Sequence, residues 1–266
     1  MKLNHIFSTI ALTLILISCS TNDDSTGDQL EGQQGDITIK FDNAVGSNDF
    51  LFNNTYSLSN GDTFQVQTLK YIISNIVLLD ENGNESTIPA IDNIFIVDES
   101  QANNAGEFNI TLNDIDAGNY TQIKFGIGVD QDRYTLGAAG QGNFLQQADD
   151  AGMMWSWATG YKFIRLDGTY TDSSAADQAL NIHMGSVGTS LDNYREITLD
   201  LPNTSRVREN SIAEIHVIAD IMKIFEGSTT VSFADGYNQV HTNEVETPII
   251  AQNFSESFSV HHVHNN

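Results

Sequence analysis

Cysteine is nearly absent. Cys19 is the single thiol in 266 residues, so the chain closes no internal disulfide and builds no multi-cysteine metal centre. Positive charge is scarce as well: 11 Lys and Arg stand against 35 Asp and Glu, a net charge of −24. Nucleic acids and anionic membrane faces select Lys/Arg clusters, and both are excluded as partners of this surface. Only three prolines occur, and no Pro-rich linker or internal repeat marks a domain boundary. No serine sits in a nucleophile elbow and no pair of catalytic acids stands out. The chain therefore reads as a binding protein, not as an enzyme.

The first residues read as an address. Lys2 is followed by the apolar run Ile10–Ile17, which has signal-peptide length and is too short to span a membrane. Leu16-Ile17-Ser18-Cys19 resembles the lipobox of bacterial lipoproteins, so residues 1–18 are expected to be removed and Cys19 lipidated. Residues 19–35 are polar, acidic and glycine-rich, with too little apolar surface to order themselves; they are expected to act as a flexible tether. Acids so soon after the lipidated Cys resemble the surface-export signal of Bacteroidetes lipoproteins. This places the protein on the outer membrane, facing the periplasm or the outside, held through its lipid anchor.

Residues 36–266 suit one large all-β domain. Asp36–Asp42 alternates polar and apolar residues, as a half-buried strand does. Leu69–Leu79 is rich in β-branched residues, and Asp80-Glu81-Asn82-Gly83 after it carries turn chemistry. Further strand patterns fall at 94–98, 108–112, 121–129, 180–185 and 195–201, and residues 213–225 also lean to strand. Residues 245–254 are the one helix candidate. Residues 130–152 form a long glycine-containing loop, whose Asp130, Asp132, Asp149 and Asp150 are hard ligands suited to Ca2+. Many short strands with turns between them predict an antiparallel β-sandwich with long loops.

Two features carry chemistry. Met153-Met154-Trp155-Ser156-Trp157 holds both tryptophans. In a strand the two indoles share a face, as a core corner, as the wall of a site or as a stacking platform for a glycan. Six histidines lie in the second half: His183, His216, His241, His261, His262 and His264. In a terminal strand His262 and His264 share a face and His261 points away. Imidazoles two apart on a strand converge on one metal, and imidazole suits copper, zinc, iron and nickel. His183 and His216 lie in strand patterns, where a lone His is more often a hydrogen-bonded core residue. His241 reads as a loop residue outside the site.

The segments Y-I-I-S-N-I (71–76), F-G-I-G-V-D (125–130), M-M-W-S-W-A-T-G-Y-K-F-I-R-L-D-G (153–168), I-H-M-G (182–185), A-E-I-H-V-I-A-D (213–220) and V-H-H-V-H-N (260–265) together resemble the MbnP-like copper-binding protein family. The resemblance implies a secreted or lipid-anchored β-sandwich that binds copper through histidines and a tryptophan oxidised to kynurenine. It also implies a partner that makes this oxidation, a dihaem enzyme related to cytochrome c peroxidases. Carried over to this chain, the metal ligands are His183, His216, His262 and His264. Trp155 or Trp157 is the modified residue, and Met153, Met154 and Met184 are soft ligands. One departure is visible: members with a His after the opening F-D differ from this chain, where Phe41-Asp42-Asn43-Ala44 has none. The alternative reading is a cell-surface β-sandwich for adhesion or glycan binding, without metal.

Replacing Cys19 with Ser is expected to move the protein from the detergent-extracted membrane fraction to the soluble fraction. Unchanged membrane retention of the variant would remove the lipid-anchor reading.

Overall fold

The computed structural model describes residues 30–86, 88–89 and 91–266. The signal segment, Cys19 and most of the tether lie outside these residues. The strands are, in order, β1 (Gln34–Val45), β2 (Asn48–Asp49), β3 (Tyr56–Ser57), β4 (Thr63–Asp80), β5 (Ile94–Asp98), β6 (Glu107–Asp116), β7 (Gly118–Ile127), β8 (Met154–Ser156), β9 (Gly160–Tyr161), β10 (Ile164–Thr171), β11 (Gln178–Ile182), β12 (Arg195–Val207), β13 (Ile212–Asp220), β14 (Gln239–Val240) and β15 (Phe258–Asn265). Four short helices join them: α1 (Gln131–Thr135), α2 (Phe144–Asp150), α3 (Lys223–Glu226) and α4 (Glu246–Ser255).

Two sheets face each other, as the alternating strands require. The first runs β15-β13-β1, with β2 and β6 also paired to β1. The second runs β12-β7-β4-β10-β11-β14, with β3 and β5 on β4. The all-β sandwich is thus the architecture. Its pairing is mostly antiparallel, but β1–β13 and β11–β14 are parallel. Parallel neighbours cannot be joined by a hairpin. Strand β13 returns to β1 only after most of the second sheet has been laid down, so no local signal announces that pairing.

The core sits between the sheets. Ile37, Ile39 and Phe41 of β1 point inward, as do Ala213, Ile215, Val217 and Ala219 of β13, and all are fully buried. Phe125 of β7 meets Phe41 edge-on at 5.7 Å, and Phe258 of β15 meets Phe125 at 5.4 Å. Tyr71 and Phe254 extend this cluster. Edge-to-face contacts suit the ring quadrupoles and add to the burial of large apolar area. Because period-two alternation buries one face, the other face of β1 and β13 is committed to Lys40, Asp42, Glu214 and His216.

Two segments differ from the sequence pattern. Residues 213–225 change at Asp220 from strand to turn, and α3 follows. The 130–152 loop is largely short helix, opened by Asp130. The Asp130 side chain accepts from the Arg133 amide at 2.7 Å and from Asn75 Nδ2 at 2.7 Å. That is N-cap chemistry. The helix expected at 245–254 is α4.

Phe125→Ala removes a ring shared by both sheets. It is expected to cost about 3–5 kcal/mol, as large-to-small core changes do, read as a lower denaturant midpoint with an unchanged slope.

Candidate metal centre

The outer face of the first sheet gathers histidines from two strands. In the parallel register His216 of β13 lies beside Lys40 of β1, and in the antiparallel register it lies opposite His262 of β15. The β13–β15 ladder slips between His216 and Val217, where Val217 pairs with Val260. One residue, His261, is therefore extra. Such a bulge breaks the alternation and re-aims a side chain. Val260 and Val263 both still pack on the core, and His261, His262 and His264 are all left to the outer face. The His216 and His262 rings are 4.6 Å apart, His216 and His261 5.5 Å, and His262 and His264 4.5 Å.

One ring nitrogen from each of His216, His261 and His262 lies within 4.8 Å of the others, the one such grouping of His, Cys, Asp or Glu among the described residues. Metal–imidazole bonds of about 2.0–2.1 Å put opposed ligands about 4 Å apart. A small closing of the side chains would bring these three onto one ion. His216 is the fixed member. It is buried, and its Nε2 lies 3.1 Å from Asp42 Oδ2. Its Nδ1 is buried with no hydrogen-bond partner. A ligating His commonly gives its other ring N–H to a carboxylate, which sets the tautomer and leaves the opposite nitrogen for the metal. Asp42 and His216 have that arrangement.

Carboxylates surround the one lysine described on this face. Lys40 Nζ bridges Glu214 at 3.2 Å and Glu107 at 3.5 Å. Partial burial, then the neighbouring His216, His264 and His261 and Lys40, hold His262 below the ordinary imidazole range. This favours the neutral imidazole, the form that ligates a metal. Behind Asp42, the next residue of β1 faces inward. Asn43 donates to Glu99 Oε2 at 2.7 Å and accepts from the Tyr71 hydroxyl at 3.2 Å. Desolvation of Glu99, opposed by the Asn43 bond and reinforced by Asp42 and Asp98, pushes its carboxyl up to about 7.

The remaining residues singled out from the sequence lie elsewhere. His183 directly follows β11 in the second sheet. Its Nε2 is 2.5 Å from Asp167 Oδ1, and its ring is 4.9 Å from that of His241. Strand β8 ends at Ser156, so Trp157 lies in the turn and does not alternate with Trp155. Trp157 stacks on Tyr134 at 5.1 Å and meets Tyr161 edge-on at 6.4 Å. Trp155 is half-buried in β8. Met153 and Met184 are enclosed in the core, and Met154 is half-buried. The structure thus separates the outer histidines, the His183–His241 pair, the Trp hairpin of β8 and its turn, and the core methionines Met153 and Met184.

The MbnP family model matches residues 34–244. The chain belongs to the MbnP family. Among solved structures it is similar to MbnP from Methylosinus trichosporium, at 15% identity and a TM-score of 0.50, over 88% of this chain and 99% of that one. Comparison with curated proteins gives no match. The MbnP match takes in Asp42, Asp167, His183, His216 and His241. It stops before His261, so the terminal histidine strand of this member lies beyond the matched region.

Asp42 is not among the site residues the sequence suggests, and His261, expected to point away from His262 and His264, is brought to their face by the bulge. A signal for His261 was present: Val260 and Val263 are three apart, and both can face the core only if one intervening residue is extra.

Glu99 predicts a pH signature. Its carboxyl rises from an ordinary 4.5 to about 7 on folding, so between these values the folded state holds a proton that the unfolded state has lost. Stability from this group falls as pH rises through that window. Glu99→Gln is expected to flatten the decline in Tm from pH 5 to pH 8 and to raise Tm at pH 8. Parallel profiles for the two proteins would contradict this.

Proposed function

We propose that this MbnP family member is a copper-binding lipoprotein of the bacterial envelope, a binding module and not a turnover enzyme. The observation that carries the reading is His216, whose Nε2 is engaged by Asp42 and whose buried Nδ1 has no partner beside the ring of His262. The donor set suits copper: neutral imidazoles from His216, His261, His262 and His264, with no thiolate at hand. Bound copper would supply one-electron redox chemistry at this face. Asp42 would hold the His216 tautomer, the bulge would present two adjacent imidazoles, and Lys40 would stay clear, held by Glu214 and Glu107. His183 belongs to a different locus, and the cores around Met153 and Met184 leave no role for them as ligands in this reading.

The family resemblance extends the proposal to the tryptophans. Conversion of Trp155 or Trp157 to kynurenine by a dihaem partner related to cytochrome c peroxidases requires electronic access to the indole. Trp155 is only half-buried, and the Tyr134–Trp157–Tyr161 contacts bring three oxidisable rings together. The acidic surface would favour docking of a cationic redox partner.

Competition with a chromogenic Cu(I) chelator tests the metal site. The protein is expected to retain about one equivalent near neutral pH and to release it on acidification as the imidazoles protonate. His216→Ala with His262→Ala should abolish retention, and Asp42→Asn should weaken it about 10–100-fold. Equal retention by the parent and the double variant would overturn the proposal.

A further inference from the structure

The second sheet carries another pair of imidazoles that the copper reading does not use. Strands β11 and β14 are parallel, with Ile182 paired to Val240. The His183 amide then donates to the Val240 carbonyl at 2.7 Å. This register carries the chain one residue further on both sides, to His183 and His241, and sets their rings 4.9 Å apart. Two residues far apart in sequence are thus paired by backbone hydrogen bonds.

Each ring is left with a distinct nitrogen. His183 Nε2 is fixed against Asp167 Oδ1, and Asp167 is itself anchored by Arg165 Nε on its other oxygen at 2.7 Å. His241 has its Nδ1 buried without a hydrogen-bond partner. Buried polar atoms rarely stay unpaired, and each such atom calls for an explanation. An anchored carboxylate, the His it orients and a second imidazole with a spare buried nitrogen are components that metal sites use.

We propose that His183, through Nδ1, and His241, through Nδ1, bind a Zn2+ ion, with Asp167 as the positioning carboxylate, independently of the outer histidines of the first sheet. The donor atoms select the ion. Arg165 occupies Asp167, and Lys162, whose Nζ is held by the Gly152 carbonyl at 2.9 Å, adds positive charge near His241. A hard cation such as Ca2+ needs several oxygen ligands, which this locus does not offer. Neutral imidazole suits a borderline cation such as Zn2+, and with two protein ligands water would complete its shell.

Zn2+ titration followed by calorimetry and by histidine NMR tests the site in the full mature chain. The background carries His216→Ala, His261→Ala, His262→Ala and His264→Ala, which removes the outer histidines and keeps the two metal loci distinguishable. One equivalent is expected to bind, with the Hε1 resonances of His183 and His241 shifting together. Adding His241→Gln, which keeps a polar group at the position, should weaken binding at least 10-fold. Asp167→Asn should weaken it about 10–100-fold. Failure of the background protein to bind Zn2+, or binding that survives His241→Gln unchanged, would overturn the proposal whatever the outer histidines do with copper.

Discussion

The position of β13 between β1 and β15 is the constraint on which the candidate centre depends. One register, parallel on one side and antiparallel on the other, puts His216 between a carboxylate strand and a histidine strand. The inner faces enforce it. Ile39, Phe41, Ile215 and Val217 are fully buried, and a slip of one residue would turn them all to solvent and bury Asp42 and His216 in their place. The hydrophobic core therefore holds the register of polar groups it never touches. The apolar side of β1 and β13 supplies the stability, and the polar side inherits the geometry.

The bulge in β15 follows from the same competition. Val260 and Val263 both seek the core, and regular alternation would deny it to one of them. Letting His261 stand out of the ladder unpaired sacrifices local pairing and keeps both valines packed. The by-product is two consecutive imidazoles on one face. A density of nitrogen donors that a regular strand cannot reach is thus obtained by a local defect at a sheet edge, where bulges are best tolerated.

Much of the fold was legible because it is written locally. Alternation marked β1, β6 and β7, the β-branched run marked β4, and the helix at 246–255 followed from composition. The lateral order of the strands was not legible, since the β1–β13 pairing joins residues more than 170 apart in sequence. His216 and His262 could be named as candidates, but their meeting depends on that pairing. Asp42 was passed over because a carboxylate on a half-buried strand looks like ordinary solvent-facing polarity until its neighbour is known. His241 looked like loop for a similar reason: its partner arrives through the two-residue strand β14, which is too short to leave a periodic signal. Trp155 and Trp157 do not share the face that alternation predicts, because β8 is three residues long and turns before Trp157.

Strand β1 ties the inner and outer chemistry together. Asp42 faces out to His216, and Asn43 faces in to Tyr71 and Glu99. Adjacent residues of one strand thus serve opposite sides of the sheet. The negative charge of Asp42 favours the protonated acid at Glu99. A cation held at His216 would offset that negative charge and favour ionised Glu99, and by reciprocity ionised Glu99 would favour the cation. No cysteine lies among the described residues, which makes such carboxylate tuning more important. With imidazole as the proposed donor, tautomer, burial and nearby charge are the means left for setting affinity, and in β1 Asp42 and Lys40 lie beside the histidines.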